Sequence, residues 1–124
     1  MNKPVAIAAV AALLLPLTSH AQFAKPEDAI KYRQSVMSLM GTHMGRLGAM
    51  VNGRVPYDAK VAAENAAVVS TLSKLPAAAF GPGTDTGRPT RALPAIWTDT
   101  AKFTAAYEKM AAEAAKLPGR PRQH

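Results

Sequence analysis

The 124-residue sequence contains no cysteine, few aromatic residues (6%) and no apolar run of membrane length, and each shortage removes a class of answers. Without a thiol the chain can build no disulfide framework, no cysteine-caged structural zinc, no iron–sulfur cluster and no thioether-linked haem. The apolar run Pro4 to Leu17 is 14 residues long, short of the roughly 20 that span a bilayer, so no membrane span is expected. Catalytic signatures are missing too. There is no Gly-x-Ser-x-Gly elbow and no His-Glu-x-x-His, and Asp58, Glu64, Asp85, Asp99, Glu108 and Glu113 form no evident pair on one face, so the chain does not read as an enzyme. No segment alternates apolar and polar residues with the period of two that a strand needs.

What is present begins with a leader. Met1, Asn2 and Lys3 make a positive start, the apolar run follows, and Ser19-His20-Ala21 is a small-x-small cleavage site, so residues 1–21 read as a secretory signal peptide. The mature part, Gln22 to His124, then carries 14 basic against 8 acidic side chains, a net charge of +6. A basic, cysteine-free exported chain fits a bacterial periplasm; its scattered charges read first as plain solubility, and steering of encounters with acidic partners is the other reading. Nucleic-acid binding is not expected, because Arg88, Arg91, Arg120 and Arg122 have no interleaved aromatic residues.

Three segments read as helix. The first opens at Pro26, whose missing N–H is harmless in a first turn, gains Glu27 and Asp28 at the positive end of the dipole, and stops at Asn52-Gly53. Its expected inward stripe is Ile30, Arg33, Met37, Met40, Met44, Leu47 and Val51. The second starts at Asp58 as N-cap and carries Val61, Asn65, Val68, Leu72 and Leu75 at the same spacing up to Pro76. The third runs from Pro94 or Thr98 to Leu117, with Ile96, Trp97, Phe103, Tyr107, Met110, Ala114 and Leu117 on its apolar side. Alanine, 20 of the 103 mature residues, favours helix elsewhere. Between the second and third helices, Ala77 to Leu93 is longer than a minimal bundle turn, which suggests a functional loop.

The expected fold is therefore all-α, an antiparallel four-helix-bundle type with only three helices present. A fourth helix would have to follow Leu117, and Pro118 to His124 cannot form one, so the sequence reads as truncated, with a helical domain over 22–117 and a disordered tail over 118–124.

Several segments, in order, resemble one family. Gln22-Phe23-Ala24-Lys25-Pro26-Glu27-Asp28-Ala29-Ile30-Lys31-Tyr32-Arg33-Gln34, Pro56-Tyr57-Asp58-Ala59, Leu72-Ser73-Lys74-Leu75-Pro76, Ala79-Phe80-Gly81-Pro82-Gly83-Thr84 and Ile96-Trp97 are similar to stretches of the cytochrome c prime proteins, the class II c-type cytochromes. The resemblance spans Gln22 to about Leu117. It implies a periplasmic four-helix bundle, usually a homodimer through its first two helices, with one haem for electron transfer or for binding nitric oxide and carbon monoxide, and a redox partner protein. The family attaches that haem through Cys-x-x-Cys-His on its last helix, and this sequence has no such motif.

By the same resemblance Arg33 takes the position beside a haem propionate, and Met37 the position over the distal face of the iron. Met37, or less readily Met40, is then the candidate axial ligand, and Phe80 and Trp97 line the pocket. Taken alone, Arg33 reads first as a snorkelling arginine at the bundle edge, the methionines read first as core filler, and core packing accounts for Phe80 and Trp97. Two other readings stand beside haem: a haem-free helical remnant that binds a partner, and a copper site built from Met37, Met40, His43 and Met44. In the copper reading His43 is turned about 100° away from Met44 around the helix.

Overall fold

In the computed structural model, residues 22–119 are described; the leader 1–21 and residues 120–124 lie outside them. Helix α1 spans Pro26–Val51 and α2 spans Ala59–Leu72. A 3-10 turn at Pro76–Ala79 leads into the long loop, and α3 (Ala95–Thr98) and α4 (Thr100–Lys116) follow. A 3-10 turn at Leu117–Gly119 then covers the first residues of the expected tail. No strand occurs among the described residues, and no helix among them is long and apolar enough to cross a membrane. With α3 a single turn, three helices have bundle length.

The helix ends follow local chemistry. Pro26 occupies the first turn of α1, with Glu27 and Asp28 beside it. At the other end Gly53 adopts φ 72°, a left-handed conformation open to glycine. This lets Gly53 N–H donate to the Met50 carbonyl (3.2 Å) and Arg54 N–H to that of Ala49 (2.9 Å), a Schellman closure. The Asp58 carboxylate accepts from the N–H groups of Lys60 (3.0 Å) and Val61 (3.1 Å), capping α2 as its position in the sequence suggests. Asp99 caps α4 by accepting from Lys102 N–H and breaks the third helical segment in two, which accounts for both starts that the sequence allows.

Helix α2 is the middle layer, and α1 and α4 each pack chiefly against it. Its buried residues are Asn65, Ala66 and Val69, while Val61 and Val68, expected inside, stay exposed. On α1 the same shift occurs. The buried set is Ala29, Ile30, Arg33, Val36 and Met50, with His43 half-buried between the last two. Met37, Met44 and Val51, expected on the inward stripe, are 53%, 45% and 83% exposed. The apolar face of α1 is wide enough for two columns of side chains, and α2 covers only the column containing Val36, His43 and Met50.

One polar pair fixes that choice. His43 Nδ1 lies 2.8 Å from Asn65 Oδ1, and Asn65 Nδ2 donates to the Val61 carbonyl at 2.8 Å, so with α1 turned this way both ends of a buried amide are satisfied. At the far end of α2, the Tyr107 hydroxyl of α4 donates to the Ser73 carbonyl and accepts from Ala77 N–H (3.2 Å), clamping α4 to the end of α2. Burial pushes the Tyr107 phenol up from its ordinary pKa; the bond from Ala77 pulls it down and the charge of Tyr32 adds slightly to the rise.

Candidate functional site

Arg33 is the centre of the site. Its position in the apolar face of α1 carries the guanidinium under the long loop, where it is 3% exposed. Nη1 donates to the Ala79 carbonyl at 2.9 Å and to Thr84 Oγ1 at 3.1 Å. The planar group lies 4.8 Å from the Phe80 ring centroid and 5.2 Å from that of Trp97, within cation–π range of both. Nη2 is buried and has no hydrogen-bond partner among the described residues. Desolvation lowers the pKa of Arg33, and the nearby charge of Asp85 opposes that.

The loop is built to hold this arrangement. Thr84 donates its hydroxyl to the Gly81 carbonyl (2.8 Å), and Trp97 Nε1 donates to the same oxygen at 3.1 Å. Gly83, at φ 78°, provides the left-handed turn that folds Thr84 back towards Arg33. Further along, Gln34 donates to the Pro89 carbonyl (3.0 Å) and accepts from Arg88 Nε (3.2 Å), which ties the loop to α1. Phe80 also packs edge-on against Phe103 at 4.8 Å. Beyond these rings opens a cavity of about 530 Å³ lined by Phe80, Asp85, Ile96, Trp97 and Phe103 among others.

Of the five residues expected at a haem site, Arg33, Phe80 and Trp97 are brought together. Met37 and Met40 are not in that cluster. Met37 lies one helical turn beyond Arg33 and is 53% exposed. Met40 is two turns along and faces the groove between α1 and α4, together with Met44. His43 is absent from that groove's lining and is tied to Asn65 on the α2 side, so the helix separates the four side chains of the copper reading. Among the described residues no group of three or more histidine and acidic side chains could hold a metal ion.

Sequence reasoning missed Thr84 and the Ala79 carbonyl as partners of Arg33, since 51 and 46 residues separate them from it. It also missed the pairing of His43 with Asn65, although a lone asparagine in an apolar stripe was the available signal.

The unpartnered Nη2 suits a carboxylate such as a porphyrin propionate, because a charge-assisted bond would satisfy a buried donor that no other described residue reaches. Covalent attachment does not fit, since the chain has no cysteine.

A sequence profile described as Cytochrome C' matches residues 28–122. Cytochrome c' from Rubrivivax gelatinosus is 62% identical over 96 residues, which is 77% of this chain and 74% of that protein. Cytochrome c' from Halomonas halodenitrificans is 43% identical over 76% of this chain and 74% of its own. Among solved structures, the Rubrivivax gelatinosus protein superposes with a TM-score of 0.77 at 60% identity, covering 79% of this chain and 77% of that one. Cytochrome c prime from Shewanella frigidimarina gives 0.74 at 41% identity, over 77% of this chain and 74% of its own. These relatives are four-helix bundles of a haem-binding family that transfers electrons and binds small gases. On sequence and fold together, this chain belongs to the cytochrome c' family.

Proposed function

We propose that this chain binds haem without a covalent link and serves in electron transfer or in the binding of nitric oxide and carbon monoxide. The observation that supports this is Arg33: a guanidinium 3% exposed, backed by two aromatic rings, with one nitrogen left without a partner among the described residues. Burying an unsatisfied charged donor costs about 1–3 kcal/mol or more, and a carboxylate is the group that removes the cost. Phe80 and Trp97 add the flat apolar surface suited to a porphyrin edge. Met37 offers a thioether from the adjoining turn, with Met40 as the second candidate. A thioether ligand favours the reduced iron and raises the potential.

When bound, haem supplies one-electron chemistry and a coordination position for a small gas. The chain's own part is to orient the acidic edge through Arg33 and to keep water from it with Phe80 and Trp97. Lacking the thioether links, the chain holds haem more weakly than relatives that carry them, so function is impaired relative to the family. The signal peptide at 1–21 directs the domain at 22–117 to the periplasm. A homodimer through α1 and α2 uses exposed Leu39, Val61 and Val68, and a redox partner protein completes the cycle.

The test is haemin titration of the purified mature chain. A saturable, red-shifted Soret band that weakens in Arg33→Gln is expected; an unchanged free-haemin spectrum contradicts the reading.

A second reading, a haem-free helical module that binds a partner, is favoured by the open apolar column Met37, Met44 and Val51.

A further inference from the structure

The loop that wraps Arg33 also carries an acid. Gly83 (φ 78°) and Gly87 (φ 108°) hold left-handed conformations on either side of Asp85, conformations in which other residues are strained. A Cβ added at Gly87 would lie 3.3 Å from Glu27 Oε2, so this end of the loop is pressed on the first turn of α1. The path of Asp85 is therefore set on both sides. It directly follows Thr84, whose hydroxyl accepts from Arg33 Nη1 at 3.1 Å. It also lines the cavity of about 530 Å³ whose walls include Phe80 and Trp97, the two rings packed on the guanidinium. Among the described residues lining that cavity, Asp85 is the one with a charged side chain.

We propose that Asp85 is the resident counter-ion of Arg33 and, by repelling an arriving carboxylate, the residue that limits the affinity of this site for anionic ligands. The inference rests on the reading that Arg33 binds a carboxylate, and it adds the residue that regulates that binding.

The state of Arg33 gives the acid this role. The guanidinium is 3% exposed, and its Nη2 has no hydrogen-bond partner among the described residues, so hydrogen bonds compensate the buried charge only in part. Desolvation lowers the pKa of Arg33, and the charge of Asp85 opposes it. The acid does this without ion-pair contact, which leaves Nη2 free for a ligand. In the ligand-free chain one cation faces one anion. A bound carboxylate sets two anions beside that cation, and their mutual repulsion acts over several ångströms and weakens with salt. The same charge thus has opposite effects, steadying the ligand-free fold and weakening the hold on an acid. A purely structural role would move an acidic ligand and its neutral ester alike.

The test compares haemin with its dimethyl ester, which has no free carboxylate, on the mature chain and on Asp85→Asn, a nearly isosteric exchange that removes the charge. Asp85→Asn should bind haemin at least roughly threefold more tightly at low salt, bind the ester as the parent does, and unfold at a lower urea midpoint without ligand. The gain in haemin affinity narrows at high salt. Asp85→Glu, which restores the charge, should return affinity and midpoint towards the parent. Asp85→Ser should repeat the pattern of Asp85→Asn, with circular dichroism verifying the fold of each variant. Glu64→Gln removes a charge from α2, outside the cavity lining, and leaves the acid-to-ester ratio unchanged. Unchanged or weaker haemin binding by both neutral variants, an equal shift for haemin and ester, or a midpoint that does not fall overturns the inference. Where the parent still prefers haemin to the ester, those results leave the reading of Arg33 standing. Equal affinity of the parent for acid and ester overturns that reading and this inference with it.

Discussion

Arg33 Nη1 sits 2.9 Å from the carbonyl oxygen of Ala79, so one hydrogen bond from a buried charge pins the 3-10 turn after α2 to the N-terminal third of α1. The same guanidinium has a second nitrogen with no partner among the described residues, and the two effects oppose each other in stability. Charge-assisted hydrogen bonds contribute about 1.5–3 kcal/mol, and an orphaned buried donor costs about as much as one of them. Nη1 makes two. Arg33→Met therefore destabilises the haem-free chain by a net ~1–2 kcal/mol, read as a lower urea midpoint. An unchanged or raised midpoint would mean the loop is held by other contacts.

The His43–Asn65 pair sets a tautomer. Asn65 Nδ2 is committed to the Val61 carbonyl, so Oδ1 faces the ring, and the hydrogen-bond network requires His43 Nδ1 to carry the proton when the imidazole is neutral. Long-range ¹H–¹⁵N correlations should show the Nδ1–H form, and Asn65→Ala should restore the mixture of a free histidine while lowering stability by about 1–3 kcal/mol. An Nε2–H form in the parent chain contradicts this packing.

Glycines divide into two groups with opposite expected signs. Gly53 and Gly83 have φ of 72° and 78°, so alanine at either is strained and lowers the melting temperature. Gly41, Gly45 and Gly48 are helical with open space around them, and alanine there raises stability by up to ~1 kcal/mol per site. Thermal melts of the five single variants check the contrast; destabilisation at Gly41 or Gly48 would reveal a close contact within the chain.

These sites also show where sequence reading succeeds. Pro26, the Asn52-Gly53 stop and Asp58 act within one turn of themselves, so these helix bounds are legible from local chemistry, whereas the break at Asp99 is not among them. The inward column of α1 is not legible either. Met37 and Val36 are neighbours on one broad apolar face, and periodicity alone fits either. The choice is made by Asn65 on another helix, which needs His43. Arg33 stood out as a cation in an apolar seam, yet its partners came from a loop whose path depends on Gly83 and on the bond from Trp97 to Gly81.

The Tyr107 phenol gives a pH dependence of defined sign. Its pKa is raised in the folded chain, so the protonated form is favoured by folding. The stability it contributes is fully present below the ordinary tyrosine value of about 10 and is lost as pH rises through the folded value. The difference in unfolding free energy between the parent and Tyr107→Phe, about 1 kcal/mol at neutral pH, should shrink on going to strongly alkaline solution. A constant difference would show that the bonds to Ser73 and Ala77 do not depend on the proton.

The central claim, that Arg33 grips the acid edge of a porphyrin, is tested most directly by titrating the parent chain and Arg33→Gln with haemin and with its dimethyl ester, which has no free carboxylate. The parent should prefer haemin by roughly tenfold or more, equivalent to one charge-assisted bond, and Arg33→Gln should bind the two alike. Equal affinity of the parent chain for acid and ester would contradict the account.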